Sequence, residues 1–448
     1  MNKLLPILSA AIVAASCGGS GAESTWFDES NGYCPLEQNR RLSYLNLSNG
    51  KEVDTELSER ELVCTAADIF RDGLAAVSVR NARGNRGVVY LDKNGKIAIG
   101  SDLRYAVGTF FSNGLAWVCE NPAEAPLKAI DTQGDVAFEL PDARTVHPFS
   151  ERVAVFENAE RNTGVVDTKG RVVIEPGKFS IAAPCAIGGL LPVIDARNAT
   201  YGLIDLEGNI VVECIYRDIL WPKQDPFLPQ LFPTQIEMAE GIRNGRIIVQ
   251  GQDGSYGIID GKGNTVIEPQ YVLIQHDGDN YKILKRMDDE WKCGWCDKDG
   301  KIIIEPQYAS TGSFHDSGFA PVCDQRGGKW YYIDTKGQKA FEGEYFSADD
   351  FVNSVAVAEA QDKYSSLNEY SLIDSKGNIL TGEKTYSSMQ PFTDSKAVLA
   401  YSGGYYGLLD GSGKPMTEFC YTVAGESLLS PYPPAGKSFS KIATGYRH

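Results

Sequence analysis

One short pattern, an apolar residue followed by Asp-x-x-Gly, recurs along almost the whole chain of 448 residues. The aspartates of the nine copies are Asp92, Asp131, Asp167, Asp205, Asp260, Asp297, Asp334, Asp374 and Asp410. The copies at Asp260, Asp297 and Asp334 are spaced 37 residues apart. A fixed period of this length indicates a repeat architecture, in which each unit buries its apolar surface against its neighbours. The pattern therefore constrains the fold strongly and a ligand hardly at all.

Each repeat unit has three parts. The first is Phe-x-x-Gly-Leu-Ala-x-Val, as in 70–77 and 111–118. The second is an aromatic-Gly pair before the Asp, as in Tyr201-Gly202, Tyr256-Gly257 and Tyr406-Gly407, and the third is an apolar run with Glu-Pro and an aromatic, as in 302–308. These parts are short and β-branched, which favours strands over helices. Asp can bond to a turn backbone and Gly accepts positive φ, so Asp-x-x-Gly predicts a hairpin turn. Each unit is predicted to be an antiparallel meander of three or four strands, the last ended by its Pro at an edge.

The fold class that follows is all-β, with tandem repeats of small antiparallel meanders that are β-propeller-like. The apolar runs at 172–174, 210–212 and 302–304 do not alternate with polar residues, which predicts strands buried on both faces. Blades sandwiched between other blades meet that condition. Four strands of about five residues with short turns also need roughly 35–40 residues, close to the observed period.

The period breaks once, because Asp205 and Asp260 are 55 residues apart. Counting a degenerate copy at 47–50, five units precede the break and five follow it. Propellers usually have about four to eight blades, so the leading expectation is two five-bladed units, and an open β-repeat superhelix is the alternative. The excess lies in a Pro-rich insertion at 221–240, whose apolar residues either pack across the junction or form an exposed contact surface. Those residues are Trp221, Phe227, Leu231 and Phe232.

The N-terminal residues are typical of an export signal: Lys3 precedes an apolar stretch at 4–15, and small residues precede Cys17. The arrangement resembles a bacterial lipobox, which implies acylation of Cys17 after cleavage; an ordinary secretory signal is the alternative. Gly and Ser at 18–21 predict a flexible tether. The predicted organisation is a signal peptide at 1–16, a tether at 17–35, a first repeat array at 36–220, the insertion at 221–240 and a second array at 241–448.

Charge and cysteine content exclude some classes of protein. A net charge of −16 argues against nucleic-acid binding and against attraction to anionic lipid. Nine cysteines remain beyond Cys17, an odd and scattered set that does not suit a disulfide scaffold, so several are predicted to be buried thiols. Cys34 and Cys64 are one possible disulfide pair.

The three-part unit resembles the bacterial WG repeat, also called the KWG repeat, whose signature is Trp-Gly-Phe-Ile-Asp-x-x-Gly followed by an apolar strand and Pro-x-Tyr. Here Tyr usually stands where the family has Trp, as at Tyr201, Tyr256 and Tyr406. The resemblance covers about residues 40–425. It implies a β-rich repeat module and supplies no catalytic residues.

Reactive chemistry finds little support in the sequence. Cys293 and Cys296 have the spacing of a redox pair, but they lie on a predicted strand without the helix N-terminus that lowers a thiol pKa. The Asp297–Gly300 stretch resembles half a calcium loop, yet it is one copy of the recurring turn. The four histidines have no zinc-ligand spacing, and no Ser-His-Asp order with a nucleophile elbow is present. No catalytic residue, metal or cofactor is therefore predicted.

The loops at 120–128, 195–200 and 358–369 vary most between units. Variable loops on a constant scaffold are common sites of recognition, although neutral drift is equally compatible with them. The function expected is a membrane-anchored, non-catalytic scaffold of the bacterial cell envelope that binds a protein or carbohydrate partner. The alternative is a propeller-type hydrolase of glycans or peptides, with carboxylates in a central funnel.

Overall fold

The computed structural model describes residues 30–122, 126–222, 235–315, 317–359 and 369–424. The predicted signal peptide, Cys17 and most of the tether lie outside these residues, as do Phe227, Leu231 and Phe232 of the insertion. The described residues form ten antiparallel sheets and one α-helix, which confirms the all-β prediction.

We number the sheets along the chain. Their strands are, in sheet 1, β1 (Tyr33–Gln38), β2 (Arg41–Asn46) and β3 (Glu52–Asp54); in sheet 2, β4 (Leu62–Arg71), β5 (Leu74–Asn81), β6 (Arg86–Asp92) and β7 (Ile97–Ile99); in sheet 3, β8 (Val107–Gly108), β9 (Leu115–Cys119), β10 (Leu127–Asp131) and β11 (Val136–Leu140); in sheet 4, β12 (Ala143–Val146), β13 (Val153–Asn158), β14 (Thr163–Asp167) and β15 (Val172–Ile174); in sheet 5, β16 (Leu190–Asp195), β17 (Thr200–Asp205) and β18 (Ile210–Tyr216).

After sheet 5 the chain continues through the helix and the remaining sheets. Helix α1 (Gln235–Arg243) lies in the connection between the first two strands of sheet 6. The strands are, in sheet 6, β19 (Asp218–Ile219), β20 (Ile247–Gln250), β21 (Tyr256–Ile259) and β22 (Thr265–Tyr271); in sheet 7, β23 (Leu273–Asp277), β24 (Asn280–Met287), β25 (Glu290–Cys296) and β26 (Ile302–Tyr308); in sheet 8, β27 (Ser310–Thr311), β28 (Phe319–Cys323) and β29 (Tyr331–Asp334); in sheet 9, β30 (Ser347–Ala348), β31 (Val355–Glu359) and β32 (Tyr370–Asp374); in sheet 10, β33 (Ser388–Pro391), β34 (Val398–Ser402) and β35 (Tyr405–Leu409). The last strand, β36 (Thr422–Val423), returns to sheet 1.

Every sheet is built on the same four-stranded meander. Where a sheet has three named strands, single bridges mark the place of the fourth, such as Ile181 to Val193 in sheet 5 and Tyr370 to Tyr386 in sheet 9. The Asp-x-x-Gly turn always joins the third strand to the fourth. The predicted repeat unit and the structural unit therefore coincide.

The ten sheets form one closed ring. β36 pairs with β1, with Glu37 opposite Thr422, so the C-terminal segment supplies the first strand of sheet 1. Shared apolar cores join each sheet to the next, and Leu36 of sheet 1 packs with Phe392 of sheet 10. Sheets 5, 6 and 7 share a core as well. This differs from the expectation of two five-bladed units, in which sheet 1 would have to close against sheet 5.

The fourth strands form the outer edge of the ring. The prediction that their apolar runs are buried on both faces was wrong. The apolar runs expected to be buried on both faces are partly exposed, with Ile210 at 55% and Ile303 at 43% of their accessible area. Strands buried on both faces are instead the second and third, such as β9, in which all five residues are buried. An edge strand faces solvent on its outer side, so apolar continuity alone did not identify the central strands.

Two positions of each unit require glycine, each for a different physical reason. The Gly of the aromatic-Gly pair lies under a bulge of the outer strand, where a Cβ on Gly257 or Gly202 would overlap the facing backbone carbonyl. The Gly of Asp-x-x-Gly has positive φ and packs on the preceding sheet, as Gly170 does against Phe138. The bulge also explains why β26 continues through Pro306, which was expected to end it.

The one helix in the described part of the chain is too short to cross a bilayer.

Candidate functional site

The turns between first and second strands lie at the inner rim of the ring, and we call them rim turns. A polar group of one rim turn bonds to the next sheet around most of the circle. The bonds are Asn31 Nδ2 to Phe70 O, Gly114 N to Asp72, Arg152 N to Asn113, Gly188 N and Gly189 N to Glu151, Asn353 Nδ2 to Phe392 O, and Ser30 Oγ to Asp394. The last of these joins sheet 1 to sheet 10. The rim turns thus form a belt of hydrogen bonds that reinforces the ring.

Sheet 6 has no rim turn of this kind. The long connection between β19 and β20 contains helix α1, which lies across the inner ends of sheets 4 to 8. Gly241 of the helix sits so close to the His276 ring of sheet 7 that a Cβ there would overlap it. Arg243 Nε lies 3.6 Å from Glu151 Oε1 of sheet 4. The break in the sequence period therefore corresponds to the connection that contains this helix on the inner rim.

The helix forms because one of its faces can be buried in the core of sheets 5 to 7. Met238, Ala239 and Ile242 recur at helical spacing and are almost fully buried there. The negative charge of Glu237 in the first turn and the positive charge of Arg243 in the last turn both interact favourably with the helix dipole. Of its polar residues, Glu237 bonds to His315 of sheet 8 and Arg243 pairs with Glu151 of sheet 4.

Asp277 joins sheet 7 to sheet 8 in place of a rim-turn bond. Its carboxylate accepts hydrogen bonds from Trp295 Nε1 at 2.6 Å, from Phe314 N at 3.0 Å and from His315 N at 2.7 Å. Asp277 is only 2% exposed. Burial raises the pKa of Asp277, and the neighbouring His315 charge and Phe314 amide offset part of that rise. Three donors therefore hold this carboxylate in place.

His315 connects the helix to sheet 9. Its Nδ1 bonds to Glu237 of the helix, and its Nε2 lies 2.9 Å from Asp350 Oδ2. Burial alone would lower the pKa of His315, but the hydrogen bonds and charges of Asp350 and Glu237 outweigh it and raise the pKa to about 11. Burial would likewise raise the pKa of Asp350, yet its bond to His315 lowers it overall. His315 is therefore an imidazolium between two carboxylates across the neutral pH range.

His276, beneath the same helix, is in the opposite state. Burial lowers its pKa to about 4, and a hydrogen bond to the Arg246 backbone offsets only part of this. Its Nε2 is buried and has no hydrogen-bond partner among the described residues. His276 is therefore neutral at neutral pH, while His315 is charged.

The cluster brings several carboxylates together, but they are already engaged. Asp277 is held by three N–H donors, and Glu237 and Asp350 share the His315 proton donors. An imidazolium has no lone pair for a metal or for proton abstraction. In the described part of the chain, no group of three or more His, Cys, Asp or Glu is arranged to hold a metal ion. The geometry suits a structural clamp on helix α1 better than acid–base chemistry.

The recurring aspartates have the role expected from the sequence. Each accepts backbone N–H bonds across its own turn, as Asp92 does from Asn94 and Lys96, and as Asp410 does from Ser412 and Lys414. The copy at Asp297, considered as half a calcium loop, makes the same bonds to Asp299 and Lys301. The series is turn chemistry.

The cysteine predictions have mixed outcomes. Cys293 packs toward the core of sheets 7 and 8 and Cys296 lies in the core of sheets 5 to 7, because residues three apart on a strand face opposite sides. Burial raises the pKa of both thiols, for Cys296 to about 11, so a redox role for this pair is not supported. Cys34 and Cys64 form no disulfide, because they lie in different cores on either side of sheet 1.

The structure places the remaining predicted features on different parts of the ring. Trp221 is buried in the core of sheets 5 to 7 and donates its indole N–H to the Cys185 carbonyl at 2.9 Å, so this residue of the insertion packs across the junction. The variable loops at 120–128, 195–200 and 358–369 all join second to third strands, on the face opposite the Asp-x-x-Gly turns. Residues 123–125 and 360–368 of these loops lie outside the described residues, as does Cys17.

Sequence reasoning missed the helix clamp. Glu237, His276, His315 and Asp350 are too far apart in sequence to suggest a cluster, and no local motif joins them. A weak signal was available: when units are aligned on Phe-x-x-Gly, Phe111 is followed by Ser112 but Phe314 by His315, one of only four histidines. The break after Asp205 pointed to the same region of the ring.

Comparison with known proteins gives one family and several structural likenesses. The family of the WG containing repeat matches residues 90–121, 201–221, 256–280 and 294–330. No curated protein matches the sequence. Among solved structures, BamB from Moraxella catarrhalis is 13% identical, covers 69% of this chain and 86% of its own, and has a TM-score of 0.31. Dihydro-heme d1 dehydrogenase NirN in complex with DHE is 12% identical, covers 69% of this chain and 74% of its own, and also has a TM-score of 0.31.

Proposed function

Because this chain carries WG repeats, we propose that it is a non-catalytic binding scaffold, tethered to the bacterial envelope through a lipid on Cys17. The observation that carries this proposal is the contrast between the two faces of the ring. Asp-x-x-Gly turns of constant length cover one face, whereas the loops on the other face range from two residues at 288–289 to ten at 360–369. Apart from the connection that contains helix α1, the large differences in loop length between units lie on this second, variable face. Variable loops on a uniform scaffold are typical of a recognition surface.

In the described part of the variable face, the hairpin of β24 and β25 carries exposed apolar side chains. Its strands are longer than those of most other sheets, and they meet at a tight turn at Asp288 and Asp289, both with positive φ. Near its tip, Trp291 is 52% exposed and Met287 is 43% exposed, and Arg286 lies over the Trp291 ring at 5.8 Å. Trp, Met and Arg are enriched at the centres of protein interfaces. We therefore propose a protein partner that packs on this hairpin.

The alternative function is hydrolysis of glycans or peptides by the carboxylates of the inner rim. The observation in its favour is the convergence of Glu237, Asp277 and Asp350 at one place. Hydrolysis needs one carboxylic acid that can donate a proton and one free carboxylate. The hydrogen bonds to His315, Trp295 and backbone amides leave this cluster poorly suited to either task, which is why we favour the scaffold.

Site-specific photocrosslinking in living cells tests the binding proposal. A photoreactive phenylalanine analogue replaces Trp291 on the variable face or, as the matched control, Lys336 in an Asp-x-x-Gly turn on the other face. We expect discrete adducts from position 291, absent from position 336 and lost when Met287→Asp is added. Equal adducts from both faces, or none from position 291, would contradict the proposal.

Two further measurements test the remaining parts. Mass spectrometry of the mature protein should find a diacylglyceryl group on Cys17, and Cys17→Ala should release the protein from membranes. A mature N-terminus downstream of Cys17 excludes the anchor. Release of sugar or peptide products by the purified protein, abolished by Asp350→Asn, would replace the scaffold by the hydrolase.

A further inference from the structure

Helix α1 is held on the inner rim by two histidines in opposite protonation states. Gly241 rests directly on the His276 ring, and Glu237 bonds to His315, whose other nitrogen bonds to Asp350. The two contacts lie one helical turn apart on the same element. We propose that helix α1 is a pH-gated latch on the inner rim, docked most tightly near neutral pH and released toward both acid and alkali.

The acid side depends on His276. Nε2 is buried, faces the helix and has no partner among the described residues, so a proton added there would be a buried, unsatisfied donor. The His276 ring packs so closely on Gly241 that no hydrogen-bond acceptor fits between the ring and the helix. Protonation of His276 is therefore compatible only with an undocked helix, in which water can reach the ring.

The alkaline side depends on His315. The docked helix requires both ring nitrogens to donate, one to Glu237 and one to Asp350, and only the imidazolium can do so. Loss of its proton leaves one ring nitrogen as an acceptor facing a carboxylate, which is repulsive. Deprotonation of His315 therefore also favours the undocked helix.

The charged groups that face the two rings set the balance. Around His315 these are Glu237 on the helix, Asp277 on sheet 7 and Asp350 on sheet 9, and Lys282 of sheet 7 acts on both aspartates. Around His276 the Arg246 backbone accepts a bond, and Tyr281 packs on the ring at 5.3 Å between centroids. Among the described residues, anions surround the first ring and no charged group shifts the pKa of the second, which accounts for their opposite states.

The pH windows follow from the direction of each shift. The pKa of His276 is lowered to about 4, so docking weakens as pH falls from the ordinary histidine value of about 6.5 toward 4. The pKa of His315 is raised to about 11, so its contribution is complete below about 6.5 and is lost as pH rises toward 11. The lowered pKa of Asp350 adds a further loss in stronger acid, below about 3.8. Docking is thus strongest where the two histidine windows meet.

Amide hydrogen exchange of the full-length protein tests the latch, with rates expressed as protection factors at pH 4.5, 6.5 and 8.5. The reporters are the amides of Asn244, Gly245 and Arg246, which bond to helix carbonyls, and the internal control is strand β9. We expect the reporters' protection to peak at pH 6.5 and to fall up to about tenfold per pH unit on either side, since one proton is linked on each side. Protection of β9 should stay constant.

Two variants separate the two sides, and each is the control for the other. His276→Gln should flatten the acid side and leave the alkaline side, and His315→Gln should do the reverse while lowering the maximum. If either variant unfolds, NMR titration of the wild-type imidazole protons decides instead. We expect His276 to titrate near pH 4 and His315 to stay protonated through pH 9.

Flat protection of the reporters between pH 4.5 and 8.5, or both imidazoles titrating near 6.5, would overturn the latch. A fall in β9 that parallels the helix would also overturn it, because that pattern means global unfolding. None of these outcomes depends on whether a partner binds the variable face, so the latch and the proposed scaffold can fail separately.

Discussion

The rim of sheets 2 to 4 and the rim of sheets 6 to 8 solve the same problem in different ways. In the first region, two-residue turns reach directly to the next sheet, as Asn113 does to the Arg152 amide at 2.9 Å. In the second region, a helix intervenes, and a buried carboxylate and two histidines make the connections. The uniform rim uses exposed side chains, including the Asp72 carboxylate, that accept bonds from backbone amides, whereas the helix-bearing rim uses the buried Asp277 carboxylate and the His315 imidazolium. The regular part of the rim therefore serves closure of the ring, and the irregular part serves the response to pH proposed above.

The largest effect is expected where the helix-bearing rim depends on one buried carboxylate. Asp277→Ala leaves the donors of Trp295, Phe314 and His315 without their acceptor, at a cost of about 4 kcal/mol in the free energy of unfolding. Asp279→Ala, an exposed carboxylate in the same turn, is the matched control and should change it by less than about 0.5 kcal/mol. Chemical denaturation followed by circular dichroism measures both. Similar losses for the two would erase the contrast between the rims.

A matched pair of core deletions asks whether the two regions unfold together. Ile130 is fully buried between sheets 2 and 3, and Ile242 of helix α1 is 2% exposed. Each change to Ala should remove about 3 kcal/mol of packing energy. We expect Ile130→Ala to lower the midpoint of global unfolding and Ile242→Ala to lower only the exchange protection of the helix. A global loss from Ile242→Ala would show that the helix is part of the cooperative ring.

Two glycine substitutions test whether an Asp-x-x-Gly turn braces the neighbouring sheet. Gly170 and Gly73 have nearly the same positive φ, of 80° and 86°. A Cβ at 170 would lie 2.7 Å from the Phe138 ring of the preceding sheet, whereas nothing lies within 4 Å of one at 73. We expect Gly170→Ala to cost about 2 kcal/mol and Gly73→Ala about 1 kcal/mol, since only the first adds overlap to backbone strain. Equal shifts in melting temperature would mean that the Asp-x-x-Gly turn does not brace the neighbouring sheet.

The smallest effect concerns acid sensitivity of the regular turns. Partial burial would raise the pKa of Asp167, but the bonds from Arg171 and Lys169 lower it overall. Its contribution is therefore present above the ordinary value of about 3.8 and is lost as pH falls through the lowered pKa. Asp167→Asn should cost a few tenths of a kcal/mol at pH 7 and reduce the fall in melting temperature between pH 4.5 and 2.5. Asp142→Asn, which removes an exposed carboxyl outside the Asp-x-x-Gly turns, is the matched control, and equal effects of the two changes would contradict the prediction.

The regular part of the molecule could be predicted from its sequence because its determinants are local. Asp92 and its eight counterparts each bond within five residues, and the aromatic-Gly pairs mark a bulge formed by the same hairpin. The closure of the ring could not be predicted, because it depends on Glu37 meeting Thr422, and neither residue carries a signal of its partner. The degenerate first unit, which lacks a first strand of its own, was the available hint.

The helix-bearing rim escaped prediction for a related reason. Among the helix α1 residues whose side chains the structure describes, three lie in the core, Met238, Ala239 and Ile242, and Pro residues had marked the preceding segment as a linker. The contact of Glu237 with His315 spans 78 residues, and that of His315 with Asp350 spans 35. Repeat periodicity identifies what every unit shares: its break after Asp205 located the irregular region but did not indicate which residues meet there. The outer strands were misjudged because apolar runs do not distinguish an edge strand from a central one.

Closure by β36 also has a consequence for how the protein is made. Sheets 2 to 10 can each complete their hydrogen bonds with strands that leave the ribosome one after another. Sheet 1 cannot, because its first strand is synthesised 385 residues after Glu37. The apolar faces of Leu36 and Leu45 likewise have no partner until Phe392 and Leu399 of sheet 10, with which they share a core, have been synthesised. One apolar face of the growing arc therefore stays uncovered through most of synthesis, and the ring can close only when the last strand is made.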